Sequence, residues 1–208
     1  SQTSEEMAKQ KGTPKKHGEE SPFRNRKKDE SLKIFKEMFD GEHNQGQHVL
    51  RAKIDMTSPN MLMRDPVLYR VMNVDHHRTK DNWKVYPMYD WTHGESDYIE
   101  QISHSLCTLE FEPHRELYDW FLDAISPLKG IRPKQREFSR LNLSYTITSK
   151  RKLAELVERK LVEGWDDPRM PTISGLRKRG YTPEALKNFA LTVGVSKREN
   201  VIDASLLE

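Results

Sequence analysis

The sequence predicts an α/β protein, and three observations carry the prediction. Apolar and polar residues alternate strictly over 49–56, helical and strand patterns take turns beyond Tyr89, and residues 139–153 read as a strand emptying into a Ser-Lys turn that opens a basic helix. Turn-taking of that kind is what a parallel sheet with crossover helices requires.

The elements follow in order. Residues 1–47 are rich in Lys, Glu, Gly, Pro and Asn, and residues 1–28 read as linker. One amphipathic helix is predicted over 29–39, with Leu32, Phe35 and Phe39 as its apolar stripe and Gly41 as its stop. Over 49–56, Leu50, Ala52, Ile54 and Met56 share one face of a strand while Arg51, Lys53 and Asp55 share the other. Two more strands are predicted over 67–73 and 83–86, joined by a polar turn at 75–81. His76 and His77 fall in that turn; neighbouring side chains on a strand point apart, so the pair predicts a hairpin tip rather than a metal site.

A short helix over 96–102 and a strand over 103–111 come next. Pro113, with its φ already fixed, suits the first turn of a helix in which Leu117, Trp120, Phe121 and Ala124 recur at helical spacing as core. A strand over 135–143 then delivers Arg140 and Leu141 to the rim where ligands of open α/β sheets bind. Helices are predicted over 151–161, 172–179 and 183–193, the last between Thr182 and Gly194. Ser196 with Glu199 reads as the capping box of one more.

A chain of 208 residues holds one large domain or two small ones, and 35% hydrophobic against 32% charged residues predicts a thin core. A formal charge of +3 generates no global field for a polyanion. Cations cluster locally instead, at Lys150-Arg151-Lys152 and Arg177-Lys178-Arg179, which fits contact with phosphate or an RNA backbone and equally a solvated helix face. Cys107 is the only cysteine, which excludes an internal disulfide and a multi-cysteine zinc site and suits a reducing cytoplasm. No apolar run approaches the roughly 18 residues that cross a bilayer as a helix, and no signal-peptide pattern opens the chain.

The chemistry centres on the Ser-Lys turn. Main-chain N–H groups at a helix start point outward unpaired, and Ser149 and Lys150 add a hydroxyl and a mobile cation, a set suited to the phosphates of a nucleotide. By local pattern alone, the same residues make an ordinary cap with a solvated lysine. The run Thr148-Ser149-Lys150 resembles the second signature loop of class I aminoacyl-tRNA synthetases, usually Lys-Met-Ser-Lys-Ser, with Thr148 in place of methionine. VYPMYDWTH from Val85, HSLCTLEF from His104 and VEGWDDPRMPTISGLRKRGYT from Val162 are similar to glutaminyl-tRNA synthetases in particular, and they occur in the right order.

The resemblance implies a fold: the second half of a Rossmann-like class I synthetase catalytic domain over 87–143, preceded over 1–86 by part of an inserted acceptor-end α+β domain. Over 144–208 it implies the signature loop and a helical subdomain. It also implies an activity, the ATP-dependent ligation of L-glutamine to tRNA(Gln) through an enzyme-bound glutaminyl-adenylate. Mg²⁺ is expected on the ATP phosphates, RNA rather than DNA as the polymer, and no membrane. The His-x-Gly-His motif of the family's first half does not occur in these residues. The chain is therefore expected to be an internal fragment, inactive alone, with that half before Ser1 and anticodon-binding β-barrels after Glu208.

By the same resemblance, Lys150 is the catalytic residue and neutralises charge growing on the leaving pyrophosphate. Thr108, Arg140, Leu141, Thr148, Ser149 and Lys150 are expected to contact ATP, Tyr89 and His93 to line the glutamine pocket, and Ser196, Lys197, Arg198 and Asn200 to touch tRNA. The residue types fit those roles. A lysine on a closing loop stabilises developing charge more than the ground state. A tyrosine hydroxyl and a neutral imidazole match an amide without a cation that would welcome a carboxylate. Lysine and arginine pair with phosphates and position RNA without reading its sequence. Trp91 replaces the phenylalanine common beside the pocket, and Pro113 stands where the family can place an acid that reads a base pair. Two other readings stay open from the sequence: a non-catalytic RNA-binding module, and a glutamyl-specific relative sharing the architecture.

Overall fold

The polar start of the chain folds around its own hydrogen bonds. In the computed structural model, which describes residues 2–125, 127 and 129–207, helix α1 (Ser4–Lys11) opens on Thr3. The Thr3 hydroxyl accepts from the Glu6 N–H, and the Glu6 carboxylate accepts from the Thr3 N–H, closing a reciprocal cap. The next stretch is held from outside. The buried Arg64 guanidinium donates to the carbonyls of Ser58, Lys11, Thr13 and Lys16 over 2.7–3.0 Å. Gly18 lies so close to Met56 that an added Cβ would sit 2.8 Å from its Cε, and Arg24 donates to the Asp65 carboxylate at 2.6 Å. Residues 2–28 are therefore not linker, which corrects the reading of 1–28 from composition. A buried cation, not an apolar face, anchors them.

Among the described residues the chain forms seven α-helices and seven strands, the strands in three small sheets rather than one open parallel sheet. It divides into two compact units, residues 1–106 with 110–136, and residues 107–109 with 137–208.

In the first unit, β1 (Val49–Arg51), β2 (Val67–Val71) and β3 (Val85–Pro87) form an antiparallel sheet in that order. The strand predicted over 49–56 keeps its burial alternation, Ala52 and Met56 inward and Lys53 and Asp55 outward, but ladder pairing ends at Arg51. A register shift between Leu50 and Arg51 bends the chain there, and the Ile54 N–H goes to the Asp65 carboxylate instead of to a strand. His76 and Lys80 close the turn between β2 and β3, with the His76 and His77 rings 4.3 Å apart at its tip. Helix α2 (Lys28–Phe39) covers this sheet through Met38, Ile34 and Phe35 on Val71 and Val85. Its predicted stripe is corrected: Leu32 is exposed, and Phe39 reaches out to stack edge-on against Trp83 at 5.6 Å.

Helix α3 (Tyr89–Ile99) begins seven residues before the predicted start at 96. Strand β4 (His104–Thr108) gives way to a 3-10 turn over Leu109–His114, which holds Pro113, and then to helix α4 (Arg115–Ala124). Leu117 and Phe121 of α4 are buried against Ala52 and Met63, with Trp91 and Trp120 packed at the edge of that cluster; Ala124 is exposed. The strand predicted over 135–143 is two strands, β5 (Lys134–Phe138) and β6 (Asn142–Leu143), with Arg140 and Leu141 in the break between them. β4 pairs with β5.

In the second unit, α5 (Lys150–Glu158), α6 (Ile173–Arg179) and α7 (Pro183–Val193) follow the start and stop signals closely. Thr172 and Thr182 cap α6 and α7 with their hydroxyls, and Gly194 ends α7 in a positive-φ conformation that side chains disfavour. α5 stops short of the predicted 161 because the chain turns left-handed at Lys160. Leu153, Val162 and Met170 form the small core of this unit. The capping-box helix after Ser196 does not form. The chain instead runs extended into β7 (Val201–Ile202), parallel to β6, and ends in a 3-10 turn over Ala204–Leu207. Main-chain bonding to β6 wins over local capping.

The turn after α5 is tied by Asp167. Its carboxylate accepts from the Arg169 guanidinium at 2.8 and 3.0 Å and from the Glu163 and Arg169 N–H groups at 2.9 Å each. The Arg169 side-chain hydrogen bond, then those amides, hold the acid far below the usual carboxylate range. A depressed acid stabilises the fold fully above its ordinary value of 3.8, less as the pH falls below that, and not at all beneath the depressed value. Hydrogen exchange at the Glu163 and Arg169 amides is expected to lose protection on acidification below about pH 4. Asp167→Asn should lower protection at neutral pH and remove the acid step. An acid step that persists in Asp167→Asn would assign the effect to another group.

Candidate nucleotide and amino-acid sites

The first group of candidate residues lies on α3. Tyr89 is its first residue and His93 stands one turn on, so the two side chains share a face; their rings are 5.3 Å apart, and the Tyr89 hydroxyl lies 3.5 Å from His93 Nδ1. One turn further, Asp97 Oδ2 is 3.5 Å from His93 Nε2. Asp97 also accepts from the Ser105 hydroxyl, which contacts the Tyr118 hydroxyl at 2.7 Å. Burial pushes the Tyr118 phenol up, with the Ser105 hydrogen bond pulling partly against it. When Nε2–H of His93 points at Asp97, Nδ1 is left as an acceptor facing the Tyr89 O–H.

Packing fixes this network. Gly94 faces the Tyr118 ring, where a Cβ would come within 3.1 Å, so α3 and α4 approach closely only with glycine there. The Tyr89 ring also lies 5.1 Å from Phe111, which is itself 5.1 Å from His114, whose Nδ1 bonds Asp90 at 2.6 Å. Trp91 packs against Phe121 with ring centroids 5.1 Å apart and donates its indole N–H to the Tyr69 hydroxyl. Sequence reasoning missed Asp97, Ser105 and Tyr118. The signal for Asp97 was the i, i+4 spacing from His93, invisible once the helix was started too late.

The second group lies in the second unit. Lys150 is the first residue of α5, exposed, with no hydrogen bond or ion pair among the described residues. Ser149 occupies the cap position but does not cap with its side chain, and Thr148 is exposed before it. The first turn carries Lys150, Arg151 and Lys152 and no acid. Cations at the positive end of a helix are the reverse of what its dipole favours, and uncapped amides there are unpaired donors. Both imbalances are relieved by an anion.

Arg140 and Leu141, in the break between β5 and β6, line a cavity of about 260 Å³ with Phe138, Phe189, Val193, Ser196, Arg198 and Asn200 among others. Residues assigned to different ligands by sequence therefore share one cavity. Lys197 turns the other way, its Nζ 3.3 Å from Glu137 Oε2 on β5. Thr108, half-buried at the end of β4, belongs to the second unit. Ser196 accepts from the Arg198 N–H at 2.9 Å, a local turn instead of a helix cap. Among the described residues no group of three or more His, Cys, Asp or Glu is gathered to hold a metal ion, and no helix is long and apolar enough to cross a membrane.

A family model for class I tRNA synthetases (E and Q), catalytic domain, matches residues 1–206. The chain belongs to that family. Among curated proteins this synthetase chain is similar to the glutamine–tRNA ligase of Neisseria meningitidis, with 59% identity over 206 residues, 99% of this chain and 37% of the relative. It is likewise similar to the glutamine–tRNA ligase of Cupriavidus metallidurans, with 57% identity over 215 residues, 100% of this chain and 36% of that one. For the glutamine–tRNA ligase of Clostridium kluyveri the identity is 53% over 206 residues, 99% of this chain and 37% of the relative. The synthetase chain thus spans a little over a third of the length of these relatives, and the resemblance read from its motifs extends along all of it.

Proposed function

We propose that the chain supplies part of the catalytic domain of a glutamine–tRNA ligase, which joins L-glutamine to tRNA(Gln) at the expense of ATP. The single observation that carries this reading is the Ser149-Lys150 turn, whose exposed ammonium and uncapped amides open α5 in a chain 59% identical to a glutamine–tRNA ligase. In this reading residues 87–143 contribute half of a Rossmann-like nucleotide fold, residues 144–208 the Ser-Lys loop and a helical subdomain, and residues 1–86 part of a domain that receives the tRNA acceptor end.

The glutamine carboxylate oxygen attacks the α-phosphorus of ATP, the bond to the bridging oxygen breaks, and pyrophosphate leaves with the negative charge. Lys150 neutralises that charge, with Ser149 and the α5 amides as further donors. Thr108, Arg140, Leu141 and Thr148 complete the nucleotide contacts. A ribose hydroxyl at the tRNA end then displaces AMP from the adenylate. Mg²⁺ arrives on the ATP phosphates.

Tyr89 and His93 receive the glutamine side-chain amide. The negative Asp97 behind His93 opposes a second carboxylate, which favours glutamine over glutamate, and the relatives' names agree with that choice. Ser196, Lys197, Arg198 and Asn200 form an RNA-contacting segment. Tyr89→Phe in the full-length protein is expected to raise the KM for glutamine about 10- to 100-fold, the size of one lost hydrogen bond to an otherwise unpaired group. The test of the whole reading is ATP–pyrophosphate exchange by the full-length protein with tRNA and either amino acid. Exchange driven by glutamate as well as by glutamine would replace it with the glutamyl-specific alternative, and no exchange with either would favour a non-catalytic RNA-binding role.

A further inference from the structure

The stretch from Glu137 to Ser144 carries the candidate nucleotide contacts Arg140 and Leu141, and the stretch from Ser196 to Ala204 carries the candidate RNA contacts Arg198 and Asn200. The two run side by side. The Ser139 N–H donates to the Ser196 carbonyl at 2.8 Å, β6 and β7 pair in parallel at Asn142 with Val201 and Leu143 with Ile202, and the Ser144 N–H donates to the Ile202 carbonyl at 2.8 Å. At the far end, the Ala204 N–H donates to the Ser144 hydroxyl at 3.0 Å.

At the near end, the join is ionic. The Glu137 side chain is 0% exposed, and the ammonium of Lys197, half in water, reaches it at 3.3 Å. A carboxylate removed from water is unfavourable unless it is paired, so this contact fixes where residue 197 goes. With Lys197 turned onto β5, its neighbour Arg198 and then Asn200 face the cavity that Arg140 and Leu141 line.

The geometry points to Glu137 as a positioning residue that, through Lys197, holds the RNA-contacting segment and the nucleotide-contacting segment in one arrangement. Glu137 touches neither substrate. Its buried charge sets the place of Lys197, Lys197 sets the start of the segment, and the cavity shared by Arg140, Leu141, Arg198 and Asn200 takes its shape from both. The proposal rests on the ligase reading above, because it takes Arg140 and Leu141 as nucleotide contacts and the 196–200 segment as RNA-contacting.

The experiment is a double-substitution cycle in the full-length protein, reading the KM for ATP and kcat in pyrophosphate exchange and the Kd for tRNA. Glu137→Gln and Lys197→Met are each expected to raise the ATP KM and the tRNA Kd together by about tenfold, the size of one charged hydrogen bond, with kcat changed less than twofold. The double variant should be no worse than either single one, and Lys197→Arg, which keeps a cation on Glu137, should bring the ATP KM back down from its Lys197→Met value. Simple destabilisation would lower kcat through the active fraction and leave KM alone. An unchanged ATP KM in Glu137→Gln, or single effects that multiply in the double variant, overturns the proposal. If Glu137→Gln does not fold, Lys197→Met compared with Lys197→Arg decides by the same ATP KM. Arg198→Gln separates this idea from the RNA reading beneath it. Loss of a phosphate contact should flatten the salt dependence of tRNA binding by about one unit of slope, and an unaltered slope would refute RNA contact by this segment whatever the ATP arm shows.

Discussion

Lys150→Ala in the full-length protein is expected to slow single-turnover formation of the aminoacyl-adenylate by about 10²- to 10³-fold, the usual consequence of removing one donor aimed at developing charge. Glutamine affinity should change little. The residue sits at the mouth of α5, exposed and unpaired among the described residues, so its removal disturbs no packing and breaks no internal ion pair. Charge on the departing pyrophosphate is greater in the transition state than in the ground state, so a mobile ammonium near it acts on the barrier more than on ground-state binding. Lys150→Arg is the informative partner, since a planar guanidinium keeps the charge but not the compact point donor, and it should recover part of the rate. Rapid-quench measurement with labelled ATP separates the steps. An unchanged single-turnover rate in Lys150→Ala removes this residue from the mechanism and leaves the phosphates to Ser149, Arg140 and the α5 amides.

Where the sequence punctuates itself, the fold was legible from it. Thr182 followed by Pro183, an apolar stripe and then Gly194 marks α7 at both ends, because a threonine cap, a proline in the first turn and a glycine stop are local devices that need no tertiary information. The burial alternation of residues 52–56 was equally plain, yet the strand itself was not, because a bulge at Leu50 and Arg51 and the Asp65 carboxylate redirect the main-chain bonds. The start of α3 was hidden for a related reason. Tyr89, Trp91, Thr92 and His93 are poor helix formers, and they become helical because Trp91 and Gly94 fit against Phe121 and Tyr118. Of the candidate site, the individual residues were visible through their motifs, while their grouping was not. Arg140 and Arg198 come to one cavity only through the parallel pairing of β6 and β7, and Glu137 gave no sign of its part because a buried acid on a strand looks like any other polar position.

The largest structural effect is expected at Arg64. Arg64→Met keeps much of the apolar stem while removing the donors that serve the carbonyls of Ser58, Lys11, Thr13 and Lys16. Two donor nitrogens, Nε and one terminal nitrogen, serve these four carbonyls, and charged hydrogen bonds at about 1.5–3 kcal/mol for each put the loss on the order of 3–6 kcal/mol, a large share of the roughly 5–15 kcal/mol that holds a domain. The loss should fall locally before it falls globally. Lys11, Thr13 and Lys16 lie on a surface stretch that can turn its carbonyls to water, whereas Leu117 and Phe121 keep their own packing whatever Arg64 does. Trypsin cleavage after Lys15 or Lys16 should therefore quicken by about 10²- to 10⁴-fold, the population shift that a loss of roughly 3–6 kcal/mol produces, while near-ultraviolet signals from the tryptophans change little. Arg64→Lys should behave like the methionine variant, because a single ammonium cannot span Ser58 on one side and Thr13 with Lys16 on the other. Cleavage no faster than in the unmodified chain would mean that the reciprocal cap of α1 and the close approach at Gly18 hold the segment by themselves, and that the guanidinium only fills space.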